Sequence, residues 1–389
     1  MSARSLASAL FAALLATTGC GGAPSQPLPD ARLAPHLRLI GVAEVASASE
    51  FGGTTIGGLS AIEHDRLRGD YLAISDDRGA DGPARVYRLR LSYDAQQLLP
   101  PEFTSVQPLA SADGTPFAPW WRPRPGVDRP DAEGLRLRAG GQRFFWSSEG
   151  DFARGFGPQL RESRTDGTLV RSIPLPASFA PAAAQGPRRN GTLEGLALTP
   201  DGATLWLAME LPWRQDGPGA TPQHPGAPVR ITALDAGSGR LLRQIAYQAA
   251  PVPQARLLPG PQLNGVSEIL ADGAHHLLVL ERSYAAGRGF GARLYRIDTR
   301  SGSDTQALAA LTPDNHRPVE KTLVADLGAL GLRPDNLEGM AWGPPLAGGG
   351  CVLVFVSDNN FNPAQVTQFI AAQYLEPPGG HGRCATNTP

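Results

Sequence analysis

The chain lacks the composition and the motifs of several large classes of protein. Only 7% of its 389 residues are aromatic, and its formal net charge is -1. Such a composition favours neither a stacking platform for sugars or bases nor an electrostatic surface for nucleic acid, so we expect no nucleic-acid partner. The three cysteines form no CxxC pair, and the sequence has no HExxH zinc motif and no G-x-S-x-G nucleophile elbow. A zinc enzyme and a serine-nucleophile esterase are therefore both unsupported.

Glycine and proline are abundant instead, with 46 and 37 copies, and a short unit recurs among them. Each copy begins a strand-like run, and a second apolar run that ends in a polar cluster follows it. A period of roughly sixty to seventy-five residues, built of short runs and turns, is typical of radial arrays of four-stranded sheets. The copies are Glu133-Gly134-Leu135, Glu194-Gly195-Leu196 and Glu338-Gly339-Met340, with degenerate versions at Gly57-Gly58-Leu59 and Ser267-Glu268-Ile269.

The two ends of the chain indicate how the repeats close into a ring. The fifth unit ends after its third strand, Val366 to Leu375, while a spare strand, His36 to Ala46, precedes the first unit. Pairing the two would remove the exposed edges of an open sheet. The sequence therefore predicts an all-β fold, a β-propeller of five four-stranded blades closed by the N-terminal strand. Six blades is the alternative, if the segments Pro101 to Pro130 or Gln254 to Gln262 contain a further sheet.

The first twenty residues resemble a targeting signal. Arg4 supplies a positive charge, Leu6 to Ala16 an apolar stretch too short to span a bilayer, and Thr17 to Cys20 a small-residue cleavage site. The pattern is similar to a bacterial lipoprotein signal with a lipid anchor on Cys20, and an ordinary secretory peptide is the alternative. We expect an exported monomer of the bacterial cell envelope, at the periplasmic face or as an outer membrane lipoprotein. The chain divides into a signal peptide (1–20), a flexible tether (21–35) and one propeller domain (36–389).

Two cysteines remain if Cys20 is lipidated. Cys351 lies in the second run of the fifth unit, and Cys384 lies in the C-terminal tail. In an oxidising compartment we expect these two to form a disulfide that ties the tail to the closing blade. The bridge would stabilise the fold by about 3 to 4 kcal/mol on a loop-entropy argument. Two unpaired thiols are the alternative.

Carboxylates from three repeats should converge on the axis of the propeller. The first strand of each blade lines the central channel, and residues two apart on a strand point to the same side. Crowded carboxylates repel one another unless a cation lies among them, so the pattern favours an oxygen-ligated ion such as Ca²⁺. The alternative is that each glutamate accepts hydrogen bonds from backbone N–H groups of the neighbouring blade. The candidate catalytic residues are Glu133, Glu194 and Glu338, paired along their strands with Asp131, Thr192 and Asn336.

The loops after the second strands carry acidic and basic side chains together. Since these loops leave equivalent strands, they should share one rim of the ring. Arginine side chains at such a rim match the oxygens of phosphate or carboxylate groups, and simple surface ion pairing is the alternative. The candidate metal ligands are Asp76, Asp77, Glu149 and Asp358, with Asp131 and Asn336 from the inner strands, and the candidate phosphate-binding residues are Arg78, Arg154, Arg214 and Arg288.

An ordered series of motifs runs through nearly the whole mature chain. Its members are Gly57-Gly58-Leu59-Ser60, Ser75-Asp76-Asp77-Arg78, Asp131-Ala132-Glu133-Gly134, Asn190-Gly191-Thr192-Leu193-Glu194-Gly195, Glu281-Arg282-Ser283, Asp335-Asn336-Leu337-Glu338-Gly339 and Ser357-Asp358-Asn359-Asn360. The series resembles the phytase-like domain family of exported bacterial proteins, whose description is "esterase-like activity of phytase". The resemblance implies a propeller and a phosphoester or ester hydrolase.

Two functions of different classes follow from these observations. The first is a metal-dependent phosphoric ester hydrolase, assisted by Ca²⁺, in which the glutamates bind the ion or act as general base and the arginines hold a phosphorylated small molecule. The second is a non-catalytic propeller lipoprotein that binds a ligand or a partner protein at the same rim.

Overall fold

The computed structural model describes residues 32–182 and 184–376, which form a ring of five antiparallel four-stranded sheets with one small two-stranded ribbon. Within these residues, none of the helices has the length and apolarity needed to cross a bilayer. Short 3-10 helices lie at Phe152–Arg154, Ala177–Phe179 and Leu327–Leu330. The strands are β1 (Leu37–Val45), β2 (Glu50–Phe51), β3 (Thr54–Thr55), β4 (Leu59–Asp65), β5 (Asp70–Ser75), β6 (Arg85–Arg90), β7 (Glu102–Pro108), β8 (Ala132–Leu137), β9 (Arg143–Ser148), β10 (Gln159–Arg164), β11 (Leu169–Ile173), β12 (Leu193–Leu198), β13 (Thr204–Met209), β14 (Val229–Asp235), β15 (Leu241–Tyr247), β16 (Gln262–Ala271), β17 (His276–Ala285), β18 (Gly289–Asp298), β19 (Lys321–Asp326), β20 (Asn336–Gly343), β21 (Cys351–Asp358) and β22 (Thr367–Tyr374).

Each sheet is one blade of a propeller. Blades 1 to 4 are β4–β7, β8–β11, β12–β15 and β16–β19, and blade 5 is β20–β22 with β1. The inner strands β4, β8, β12, β16 and β20 contact one another around the axis. The prediction of five blades is thus confirmed. In the part of the chain that the structure describes, neither candidate segment forms a sixth sheet: the first supplies β7 of blade 1, and the second is a loop that leads into β16.

The ring closes through the N-terminal strand, as the sequence predicts. Strand β1 pairs antiparallel with β22, with Leu37 opposite Tyr374 and Val45 opposite Thr367. The neighbouring strand β21 begins at Cys351, which is disulfide-bonded. Cys20 and Cys384 lie outside the described residues, so the lipid anchor and the pairing of Cys351 with Cys384 stay predictions.

Every inner strand has a β-bulge at the same place, where two of its residues oppose one residue of the second strand. In blade 1 the bulge falls at Ser60, so the counterpart of Glu133-Gly134-Leu135 is Ser60-Ala61-Ile62. The alignment of Gly57-Gly58-Leu59 with that unit is therefore wrong by three residues, because the paired glycines precede the strand and imitate the motif. The five bulge residues are Ser60, Glu133, Glu194, Ser267 and Glu338.

The glycine after the bulge allows neighbouring inner strands to approach closely. A Cβ atom on Gly134 would lie 2.8 Å from the backbone oxygen of Glu194, and one on Gly195 would lie 2.5 Å from the nitrogen of Ile269. A Cβ on Gly339 would likewise lie 2.9 Å from Cα of Ala61. Real Cβ atoms need more room, so any larger residue at these places would push the blades apart. The repeated glutamate-glycine unit therefore combines a channel-facing acid with a packing contact.

Arg136 of blade 2 closes the channel beneath the bulge residues. Its guanidinium group donates to the carbonyl oxygens of Leu135 (2.6 Å), Ile269 (2.8 Å) and Met340 (3.3 Å). It also forms ion pairs with Glu268 (2.8 Å) and Glu63 (3.5 Å). It lies three positions along the strand from Glu133, a distance of about 10 Å. The acidic residues at the mouth therefore surround a cavity whose lower end is formed by Arg136 and its ion-pair partners.

Candidate functional site

Ten residues in two tiers surround one mouth of the channel. The lower tier consists of the five bulge residues of the inner strands. The upper tier consists of the residues at equivalent places near the ends of the second strands, each opposite an inner-strand residue: Glu149 donates its backbone N–H to Asp131, and Asp358 lies in register with Asn336. The upper tier is Asp76, Glu149, Glu210, Arg282 and Asp358.

Three carboxylates of these tiers and their neighbours form a compact cluster. Asp76, Asp131 and Glu133 each place an oxygen within 4.8 Å of the others, in an arrangement that could hold a metal ion. Asp131 is 2% exposed and Glu133 is 7% exposed. Arg78 forms an ion pair with Asp131 and lies 3.9 Å from Glu149. The cluster is thus an acidic site of two buried residues and the half-buried Asp76, with one arginine at its edge.

Burial and mutual repulsion raise the pKa values of the carboxyl groups at the mouth. Burial and then the charge of Asp358 raise the pKa of Glu338 to about 8. Burial raises the pKa of Glu210 to about 7 and that of Asp358 to about 6. The pKa values of three further groups are raised well above their usual range by burial and by the neighbouring carboxylates. These groups are Asp76, Glu133 and Glu194.

Two oxygen atoms at the mouth have neither a hydrogen-bond partner nor an ion-pair partner among the described residues. They are Oδ1 of Asp76 and Oδ1 of Asn336, and both are buried. The side chain of Asn336 is held from its other end, since Nδ2 donates to Glu338 (2.8 Å) and to Asp358 (3.2 Å). A buried acceptor without a partner costs about 1 to 3 kcal/mol, which a bound cation would offset. Carboxylate and amide oxygens are also the donors that Ca²⁺ prefers, so the residues fit such an ion.

Hydrogen bonds that lock the blades together are made by other glutamates. Oε1 of Glu149 accepts from the backbone N–H groups of Gly191 and Thr192, both at 2.7 Å. Oε1 of Glu268 accepts from Leu196 (3.1 Å) and from its own neighbour Ile269 (2.9 Å). The blade-locking role considered for Glu133, Glu194 and Glu338 is therefore held by Glu149 and Glu268. The other carboxylate oxygen of Glu149, Oε2, lies 3.9 Å from the guanidinium group of Arg78.

The structure brings only one of the four candidate arginines to the acidic cluster, namely Arg78. Arg154 instead holds a neighbouring loop, since it donates to the carbonyl oxygens of Val127 (2.7 Å) and Arg124 (2.8 Å). Arg214 and Arg288 are exposed on the rim.

Asp77, a candidate metal ligand, is likewise committed to a loop. It accepts from the N–H groups of Gly79 (2.9 Å) and Ala80 (2.8 Å) and pairs with Arg85 at 2.7 Å. Its carboxylate therefore shapes the loop that carries Arg78 and does not contribute to the cluster.

Sequence reasoning assigned no role in the site to two residues of the upper tier, Glu210 and Arg282. Arg282 lies 3.0 Å from Glu210 and 3.5 Å from Glu338, and its guanidinium group is the second positive charge at the mouth. Their positions in the sequence could have identified them as site residues. Glu210 and Arg282 end the second runs of units three and four, as Asp76 and Asp358 do in units one and five.

Comparisons with known proteins identify a family. Residues 54–361 match the model of the family described as phytase-like, esterase-like activity of phytase. No curated protein matches the chain in sequence. Similar solved structures include an exo-1,5-alpha-L-arabinanase from a bovine ruminal metagenomic library, with 14% identity over 86% of this chain and 98% of that chain and a TM-score of 0.37. Another is the catalytic domain of a GH62 alpha-L-arabinofuranosidase from Coprinopsis cinerea, with 9% identity over 90% and 94% and a TM-score of 0.37.

Proposed function

The chain belongs to the phytase-like family, and from this premise we propose that it is a Ca²⁺-dependent ester hydrolase, acting on phosphoesters or carboxylic esters, whose site is the acidic mouth of the channel. One observation carries the proposal. Carboxylates of blades 1 and 2 form a compact cluster, and buried oxygens of Asp76 and Asn336 at the same mouth lack a hydrogen-bond partner among the described residues. Without a cation, the repulsion between these carboxylates destabilises the folded protein. A bound cation would turn the same oxygens into favourable ligands.

The donor set suggests which residues would hold the ion. Asp76, Asp131 and Glu133 are the carboxylates of the compact cluster. Asn336 is the amide whose free oxygen is buried at the same mouth. When bound, Ca²⁺ would supply positive charge against an ester oxygen and lower the pKa of attacking water.

The chain's own residues would position the ester and move the proton. Glu194 would accept the proton of the attacking water, and burial and the charge of Glu133 raise its pKa well above its usual range, which makes its carboxylate a stronger base. Arg78 is paired with Asp131 of the acidic cluster and Arg282 with Glu210 at the same mouth, and each could donate to an oxygen that gains charge. Arg136 spans the channel below these groups, where it donates to the carbonyl oxygens of Ile269 and Met340.

A second candidate function is a non-catalytic propeller that binds a ligand or protein at the same rim. It is favoured by two exposed aromatic side chains beside the mouth. Trp120 and Trp121 are 56% and 63% exposed, and the backbone N–H of Trp120 donates to Gly79, next to Arg78. Exposed tryptophans are enriched at the centres of binding surfaces.

We further propose that the protein is exported and anchored through lipid on Cys20, as its N-terminal sequence suggests. Labelling of expressing cells with a fatty acid tests the anchor. The wild-type protein should take up label and a Cys20→Ser variant should not. Equal labelling of both would remove the anchor.

Hydrolysis assays test the catalytic proposal. We expect turnover of p-nitrophenyl phosphate or p-nitrophenyl acetate by the wild-type protein with Ca²⁺, and its loss in excess chelator. Asp131→Asn should reduce kcat/KM by about 100-fold or more, because it removes a ligand and a charge from the cluster. The matched control is Glu102→Gln, on the exposed outer strand of blade 1. The absence of Ca²⁺-dependent turnover of both esters would leave the non-catalytic function.

A further inference from the structure

A small pocket lies directly beside the acidic cluster. It has a volume of about 50 Å³ and is lined by Arg78, Arg129, Arg189 and Asn190, together with Glu149 and the segment after it. Pockets for whole small molecules measure about 300 to 1,000 Å³. This pocket therefore has room for one small group of a larger ligand, or for one small ion.

The charges that line the pocket leave an excess of positive charge. Asp151 is committed to Arg129, which binds it through two nitrogens at 3.0 and 3.2 Å. Glu149 has one oxygen committed to the backbone of blade 3. Arg189 is exposed and has no hydrogen-bond or ion-pair partner in the described part of the chain. Its guanidinium group is thus available to a ligand in the pocket.

Guanidinium groups that converge on a small space match one class of ligand. Each presents N–H donors in a planar fork, which suits two oxygens of the same phosphate or sulfate group. The unpaired guanidinium group of Arg189, together with the donors that Arg78 and Arg129 have left, could satisfy a tetrahedral oxyanion in about 50 Å³ from several sides. A neutral carboxylic ester would leave those donors without acceptors.

Arg78 belongs both to this pocket and to the acidic cluster. It lines the pocket and also forms the ion pair with Asp131, a member of the candidate metal cluster. A cation bound to Asp131 would compete with Arg78 for the same carboxylate. The displaced guanidinium group would then need another anion, and the pocket beside it would supply one.

We propose that Arg78, Arg129 and Arg189 form a subsite for a tetrahedral oxyanion, and that Arg78 couples this subsite to the cation cluster by exchanging Asp131 for the anion. The coupling rests on the proposed cation site, whereas the subsite itself does not. Such an exchange makes the binding of cation and anion mutually favourable, and thermodynamic linkage requires the same factor in both directions. The substrate class that fits is a phosphoester in preference to a neutral ester.

Titration with sulfate under metal-free conditions tests the subsite without requiring catalysis. Arg189→Ala should weaken sulfate binding on the order of 10-fold or more, because one charged hydrogen-bonding partner is lost. Arg122→Ala is the matched control, since Arg122 is an exposed arginine of the neighbouring loop that does not line the pocket. Arg122→Ala should bind sulfate as the wild type does. Equal affinity in Arg189→Ala and Arg122→Ala, or no binding of sulfate by the wild type, would overturn the subsite.

The same titration with saturating Ca²⁺ tests the exchange. In the wild type, Ca²⁺ should tighten sulfate binding by about 5-fold or more, and sulfate should tighten Ca²⁺ binding by the same factor. In Arg78→Ala the tightening should shrink toward the small direct attraction of the two ions. An unchanged factor in Arg78→Ala would refute the exchange and leave the subsite standing. A wild type that binds sulfate but no Ca²⁺ would refute the exchange and the proposed function, again without affecting the subsite.

Discussion

Arg136 is the single residue that gives the mouth its depth. It lies on the inner strand of blade 2 and donates to carbonyl oxygens of blades 4 and 5, so it ties together strands that are far apart in the sequence. It also faces Glu268, whose pKa burial raises to about 8 although Arg136 lowers it in part. Removing one partner of a buried pair costs about 3 to 5 kcal/mol, so Arg136 contributes to the ring's stability as well as to the lower end of the cavity.

The carboxyl groups at the mouth have a consequence for stability at different pH values. Their pKa values in the folded protein are about 6 for Asp358, about 7 for Glu210 and about 8 for Glu338, above the usual values of 3.8 and 4.5. Between about pH 5 and about pH 8 the folded state therefore binds more protons than the unfolded state. Stability must then fall as pH rises through this range, because the folded protein is forced to carry repelling charges.

Thermal unfolding in chelator should show this fall. We expect the Tm of the metal-free protein to decrease from about pH 5 to about pH 8, and the decrease to be smaller in Glu338→Gln, which removes one titrating group. Added Ca²⁺ should reduce the decrease as well, because it compensates the charges. A Tm that is constant or rises over this range would contradict the crowding of carboxylates at the mouth.

At the scale of elements, the closing strand β1 determines whether the propeller is a ring. Besides its ladder to β22, its flanks are held by backbone hydrogen bonds: His36 donates to Val324 of blade 4, and Leu375 donates to His36. Without β1, strand β22 would present a row of unpaired N–H and C=O groups to other chains. The closure thus protects blade 5, which carries Asn336, Glu338 and Asp358 of the site.

Deletion of residues 36 to 46 tests the closure. We expect a large loss of stability, with a decrease in Tm well beyond 10 °C and aggregation through the exposed edge of β22. The matched control begins the chain at Arg32 and keeps β1, and it should melt as the full-length protein does. If the chain without β1 were to melt with the control, the strand would not close the ring.

At the scale of the whole molecule, the number of blades was visible in the sequence because it follows from local repetition. Each bulge with its glycine lies within three residues, so Glu133-Gly134, Glu194-Gly195 and Glu338-Gly339 mark three inner strands directly. Ser60-Ala61 fills the same place without either residue type, and the paired glycines before it displaced the alignment.

The inner contacts of the site could not be predicted in the same way. Arg136 contacts residues more than 100 positions away, and Arg282 binds acids of blades 3 and 5. Nothing in the local pattern around either arginine indicates such partners. The same reason explains Arg154, whose position after an acidic second strand resembles that of Arg78 but whose side chain holds a loop. Equivalent positions in a repeat fix the backbone, while the direction of a long side chain depends on its neighbours.

The most direct measurement is a calorimetric titration of the metal-free protein with Ca²⁺ near pH 7, in two buffers with different ionisation enthalpies. The account predicts saturable binding with release of protons, because a bound cation displaces protons from carboxyl groups whose pKa values are raised, such as Glu338 and Glu210. Glu133→Gln should weaken the binding on the order of 10-fold or more, and Glu102→Gln should leave it unchanged. Absence of Ca²⁺ binding at millimolar concentration, or binding without proton release, would contradict a cation site at the mouth of the channel.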